Sequence, residues 1–192
     1  MIDTDIKTPP NFRDIQLESE RIKFSMPSDL QTGSLLRTLV TSKPHGSFLE
    51  LGTGTGLSLS WIVEAMDKGS TVVSVDNDKD YLSIAETFFS NDERVSIICE
   101  DGSHWIKNNQ DKKFDLIFAD AWPGKYEALD ETLSLLKIGG FYIIDDMLPQ
   151  PNWPEGHSDN VDILIKHLET RKDIRLTKIN WSTGLILIAK IN

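Results

Sequence analysis

Apolar runs and stretches of helical period alternate along most of this chain. Residues 48–51 read as a short buried strand, followed by glycines alternating with threonines and by a helical pattern over 59–66. Further strands are predicted over 71–75, 94–98, 114–119 and 141–144, with helices over 78–90, 103–108 and 126–136 between them. Runs apolar on both faces and separated by helices imply a parallel sheet covered on both sides. After a helix over about 160–172, strands over 174–181 and 185–190 are joined by Ser182-Thr183-Gly184. That link is too short for a crossover helix, so the pair must form an antiparallel hairpin. The predicted fold is α/β, a doubly wound, mostly parallel seven-stranded sheet ending in that hairpin.

Ahead of the sheet lies a helical region over 1–46, and residues 47–192 form the sheet core of the same single domain. Residues 1–11, with Pro9-Pro10, read as a loose arm; residues 12–24 read as an amphipathic helix through Ile15 and Ile22. Ser28-Asp29-Leu30-Gln31 has capping-box spacing, after which Leu35, Leu36, Leu39 and Val40 recur at helical period until Pro44.

The glycine stretch carries the first chemistry. Gly52, Gly54 and Gly56 form a turn between strand and helix, where backbone can approach a ligand closely. In the dinucleotide fingerprint G-x-G-x-x-G a third glycine would stand at position 57, which here holds Leu57. Glu50, just before the turn, would repel a phosphate and attract a cation. Glu50-x-Gly52-x-Gly54-x-Gly56 resembles motif I of the class I S-adenosylmethionine (SAM)-dependent methyltransferases, whose cofactor carries an ammonium and a sulfonium. The terminal antiparallel strand resembles that family's Rossmann-like topology too. The resemblance implies a SAM site at the carboxyl ends of the strands, built from Glu50, Gly52, Gly54, Ser58, Asp76, Asp101, Gly102 and Asp120. Asp76 would accept bonds from the ribose hydroxyls, and Asp101, in preference to Glu100, from the adenine amino group. Asp76 and Asp101 could instead cap the helices that follow them.

A narrower resemblance follows. Asp120 after the fourth strand, Tyr126 beyond it and Asp145-Asp146 after the fifth are similar to the metal-dependent catechol and caffeoyl-CoA O-methyltransferases, as are Ser58 and Gln31-x-Gly33-x-x-Leu36. This implies Mg²⁺ held by Asp120, Asp145 and Asp146, a small catechol-like hydroxyl acceptor, and transfer that a chelator would stop. Two positions depart from the family. Asp146 replaces its Asn, and Pro123 stands where it has a proton-abstracting Lys. Lys125 could take that role beside Asp120 as the catalytic pair, or be a surface lysine. Asp145 and Asp146 could simply cap a turn, since neighbours on a strand face opposite ways. Trp122 reads either as an aromatic beside the methyl donor or as core. The loop 147–157, with Pro149, Pro151, Trp153 and Pro154, suits a substrate wall or lid, and His157 in it a base, a ligand or neither.

Composition narrows the partners. A net charge of −10 with scattered basic residues argues against nucleic acid. No apolar run approaches the ~20 residues that span a bilayer, and the acidic, polar N-terminus is unlike a secretory leader. The one cysteine, Cys99, reads as a buried small hydrophobe in a cytoplasmic protein. The expected partners are a small-molecule hydroxyl acceptor and, in a homodimer, a second copy, with neither nucleic acid nor membrane. Two alternatives stand beside the enzyme: a SAM-binding sensor or partner subunit without catalysis, suggested by Pro123, and an NAD-dependent oxidoreductase, opposed by Leu57 and the hairpin.

Overall fold

Strand β1 (Ser47–Leu51) has no solvent face: Phe48, Leu49, Glu50 and Leu51 are all buried. Such a strand belongs in the middle of a covered sheet. The computed structural model, which describes residues 4–150 and 153–192, places it there. Of the predicted segments, Met1 to Asp3 and Pro151 lie outside the described residues. β2 (Thr71–Asp76) and β4 (Phe114–Ala119) flank β1 in parallel, with Phe48 opposite both Val72 and Leu116. β3 (Val95–Cys99), β5 (Leu136–Ile144), β6 (Ile174–Ile179) and β7 (Leu185–Lys190) complete the order β3-β2-β1-β4-β5-β7-β6. β7 runs antiparallel to both neighbours, with Ile186 opposite Ile144 and Leu185 opposite Ile179. The predicted parallel sheet and hairpin are both present.

The helices are α1 (Phe12–Arg21), α2 (Leu30–Thr41), α3 (Leu57–Ala65), α4 (Lys79–Phe89), α5 (Gly102–Asn108), α6 (Leu129–Leu135) and α7 (His157–Thr170). They bury two cores. Trp61, Leu36, Phe89 and Phe12 pack with Phe48 and Leu116, while Trp105, Leu133 and Leu164 pack with Tyr142 and Ile117. Each large side chain buried this way contributes about 1.5–3 kcal/mol. Among the described residues, no helix is long and apolar enough to cross a membrane.

Three local expectations are corrected. Ser28 does not cap α2: Asp29 is the N-cap residue, and the Ser28 hydroxyl goes to Asp120 instead. α6 begins at Leu129 rather than Tyr126, because Gly124 (φ +87°) and Ala128 (φ +52°) turn the preceding segment into a left-handed loop. Cys99 is exposed, because it ends β3, an edge strand in which no residue is fully buried.

Candidate active site at the carboxyl ends of the strands

The turn from β1 into α3 depends on glycine. Gly52, Gly54 and Gly56 take φ of +100°, +51° and +93°, a region L side chains rarely occupy. A β-carbon at Gly52 would lie 2.7 Å from the Asp120 carbonyl oxygen, and one at Gly54 2.9 Å from the Phe24 ring. Leu57, where the dinucleotide fingerprint wants glycine, is buried as the first residue of α3. Glu50 is fully buried beneath the turn. Ser74 donates to its Oε2, and Oε1 has no hydrogen-bond partner among the described residues. Burial pushes its carboxyl up to about 7, against the opposing effects of the Ser58 and Ser74 hydroxyls.

Asp76 closes the turn from the other side. Its Oδ2 accepts the Gly54 N–H at 2.8 Å and its Oδ1 the Asp78 N–H at 2.9 Å. The cap of α4 is Asp78, which takes the Asp80 and Tyr81 N–H groups. Asp101 does cap its helix, accepting the His104 N–H at 2.8 Å, and Glu100 pairs with the His104 ring. A cleft runs between Gly52, Val75, Asp76, Gly102, Ala121 and Pro123. It joins the ends of four neighbouring strands, β3, β2, β1 and β4.

At the ends of β4 and β5 lies a second charged cluster. Asp120 accepts Ser28 Oγ on Oδ2 at 2.8 Å, and Lys125 Nζ stands 3.7 Å from Oδ1. Burial first, then the Asp145 charge, holds the Asp120 carboxyl well above the ordinary carboxylate range, with Lys125 opposing. Asp145 is buried; its Oδ1 accepts Thr183 Oγ1 at 2.7 Å and the Asp146 N–H at 2.8 Å, and burial pushes its carboxyl up to about 6. Asp146 takes φ +58°, so the strand alternation stops there. Lys125 is only 4% exposed, which overturns the surface reading. The Gly124 turn carries it inward.

The implied Mg²⁺ does not fit this arrangement. No three His, Cys, Asp or Glu residues among those described gather at ligand spacing. Oxygens of Asp120 and Asp145 are already bonded to Ser28, Thr183 and backbone N–H, and an ammonium stands where a cation would be drawn.

Residues 49–147, just over half of the chain, match the methyltransferase domain family. The chain belongs to that family. An O-methyltransferase by name from Mycobacterium leprae is 28% identical over 117 residues, 58% of this chain and 52% of that protein. The chain thus spans about half the length of the curated relatives it matches first. A protein named as a caffeoyl-CoA O-methyltransferase from Arabidopsis thaliana is 28% identical over 172 residues, covering 86% of this chain and 71% of its own. The fold is shared with the O-methyltransferase TomG of Streptomyces achromogenes, solved in complex with SAM: the TM-score is 0.82 at 19% identity, covering 98% and 92% of the two chains.

In this methyltransferase domain an aromatic group gathers around His157. The His157 ring lies 4.4 Å from Trp153, 5.3 Å from Tyr126 and 5.5 Å from Trp122, centroid to centroid. Its Nε2 is 3.3 Å from the Tyr126 hydroxyl, and its buried Nδ1 has no partner among the described residues. Burial, then the Lys125 charge, lowers the His157 pKa, which keeps the ring neutral. Trp122 is 48% exposed, so it is not core. Sequence reasoning missed Ser28 and Thr183, the two hydroxyls that hold Asp120 and Asp145. Neither sits in a pattern that announces it.

Proposed function

We propose that this domain is a SAM-dependent O-methyltransferase acting on a hydroxyl of a small acceptor. The observation that carries the reading is Glu50: a fully buried carboxyl whose Oε1 has no hydrogen-bond partner among the described residues, under a glycine turn that Asp76 braces. A buried carboxylate with an unfilled oxygen is costly unless a cation or donor completes it. The SAM ammonium suits that vacancy better than a pyrophosphate would. Asp76 then holds the ribose, Asp101 and Gly102 border the base, and Ser58 steadies Glu50. When bound, SAM supplies the methyl group.

On the acceptor side, Trp122, Tyr126 and His157 provide an aromatic wall for a planar substrate. Asp120, its basicity raised by burial, takes the acceptor's proton, and Lys125 stabilises the oxygen as its charge grows. Transfer to oxygen is supported by the names of the relatives. Mg²⁺ is left out of this reading for the reasons of geometry given above.

The test is a calorimetric titration with SAM followed by turnover on a panel of phenols. A Kd in the low micromolar range is expected, with Asp76→Ala weakening it at least tenfold, about 1.4 kcal/mol. Equal affinity in the variant would remove the ribose assignment. Binding without turnover across the panel would favour the non-catalytic SAM-binding alternative.

A further inference from the structure

Resting on the O-methyl transfer reading, we propose that Lys125 is the built-in cation of the acceptor site, standing in for a divalent metal and restricting the acceptor to a single ionisable hydroxyl. A lysine this deeply buried keeps its charge only where carboxylates surround it. Asp120 is in ion-pair contact at 3.7 Å, and Asp145 also feels the Lys125 charge. Asp120 itself is only 13% exposed in its side chain, so solvent screens the pair little.

The remaining donors point the same way. Ser28 and Thr183 each spend a hydroxyl on a carboxylate oxygen that a metal would need, and Asp146 turns its own N–H back onto Asp145. One oxygen of Asp120 and one of Asp145 are thus held by the chain's own donors. A divalent ion among these carboxylates would lie close to the buried Lys125 ammonium, itself 3.7 Å from Asp120 Oδ1. Like charges at such spacing repel strongly in a water-poor site.

The substitution changes what can be methylated. A divalent ion can hold two vicinal oxygens at once, which selects a catechol. An ammonium offers separate N–H donors and grips one oxygen at a time. The acceptor class is therefore a planar phenol or comparable acidic hydroxyl, with no need of a neighbouring hydroxyl, lying against Trp122.

The experiment measures Mn²⁺ binding to the full chain by electron paramagnetic resonance, alone and in Lys125→Met. The wild type is expected to show no Mn²⁺ binding below millimolar concentration, and Lys125→Met to bind at least tenfold more tightly once the acids lose their counter-charge. Micromolar binding in the wild type, abolished by Asp145→Asn, would overturn the proposal, and so would unchanged binding in Lys125→Met. Should Lys125→Met fail to fold, the wild-type titration decides by itself. A parallel SAM titration keeps the two readings apart: loss of SAM binding would sink the methyl-transfer reading, while the Mn²⁺ result speaks only to Lys125. With acceptors in hand, turnover of a simple phenol undiminished by EDTA is the supporting result, and a strict requirement for a vicinal diol and metal the opposing one.

Discussion

The two halves of the site are built differently. On the cofactor side, Glu50 and Asp76 stand on strands β1 and β2, and glycines cross the gap between strand and helix. On the acceptor side, Lys125, Asp146 and His157 are set by left-handed turns at Gly124, Asp146 and Gly156 and by a loop. Strand ends are rigid and shared by a whole fold, whereas turns are free to vary. On the proposed reading the difference teaches which half can change its chemistry: the cofactor side is tied to the sheet, whereas the acceptor side is set by turns whose movement would exchange one cation for another.

The largest effect that separates the halves is expected from Lys125→Met. Removing the ammonium in contact with Asp120 should lower kcat by about a hundredfold or more while leaving the SAM Kd within about twofold. Single-turnover kinetics with parallel calorimetry checks this; a matching loss of SAM affinity would show that the halves are not separate.

A pH titration acts on the cofactor side. Glu50 titrates at about 7 in the folded chain against an ordinary 4.5, so the folded state holds its proton longer than the unfolded chain does. Ligand-free stability therefore falls as pH rises from about 4.5 to about 7, by about 3 kcal/mol in full, and levels off above. If Glu50 holds the SAM ammonium as proposed, binding needs the ionised form, and affinity should weaken by up to tenfold for each pH unit below about 7. Glu50→Gln should flatten both curves. A wild-type profile already flat between pH 5 and about 8 would remove Glu50 from the account.

The smallest effect belongs to Trp122→Ala. Its half-exposed ring contributes little to folding, within about 0.5 kcal/mol, but the acceptor KM should rise about tenfold with kcat nearly unchanged. Thermal melting and steady-state kinetics on one phenol separate the two quantities.

Most of the fold was legible because hydrophobic period reports burial. β4 and β7 begin and end at the predicted residues, and the short link at Ser182-Thr183-Gly184 forced the hairpin. Asp76 and Asp120 stand where strand ends predicted them, although the alternatives for Asp101 split: it caps α5. What escaped was set by contacts distant in sequence. Ser28 looked like a helix cap because the local pattern fits, yet Asp120, ninety-two positions away, is the better partner. Lys125 read more readily as a surface residue, since nothing local shows that Gly124 and Ala128 would bend the loop inward. Cys99 sits in an apolar run, and only the order of strands shows that this run forms a sheet edge.

Titration of the wild-type chain with SAM and, separately, with NAD tests the central claim most directly, because either ligand would have to enter the crevice beside Gly52 and the proposal gives Glu50 the SAM ammonium to hold. The account predicts micromolar SAM binding and no measurable NAD binding. NAD binding with SAM excluded would contradict it.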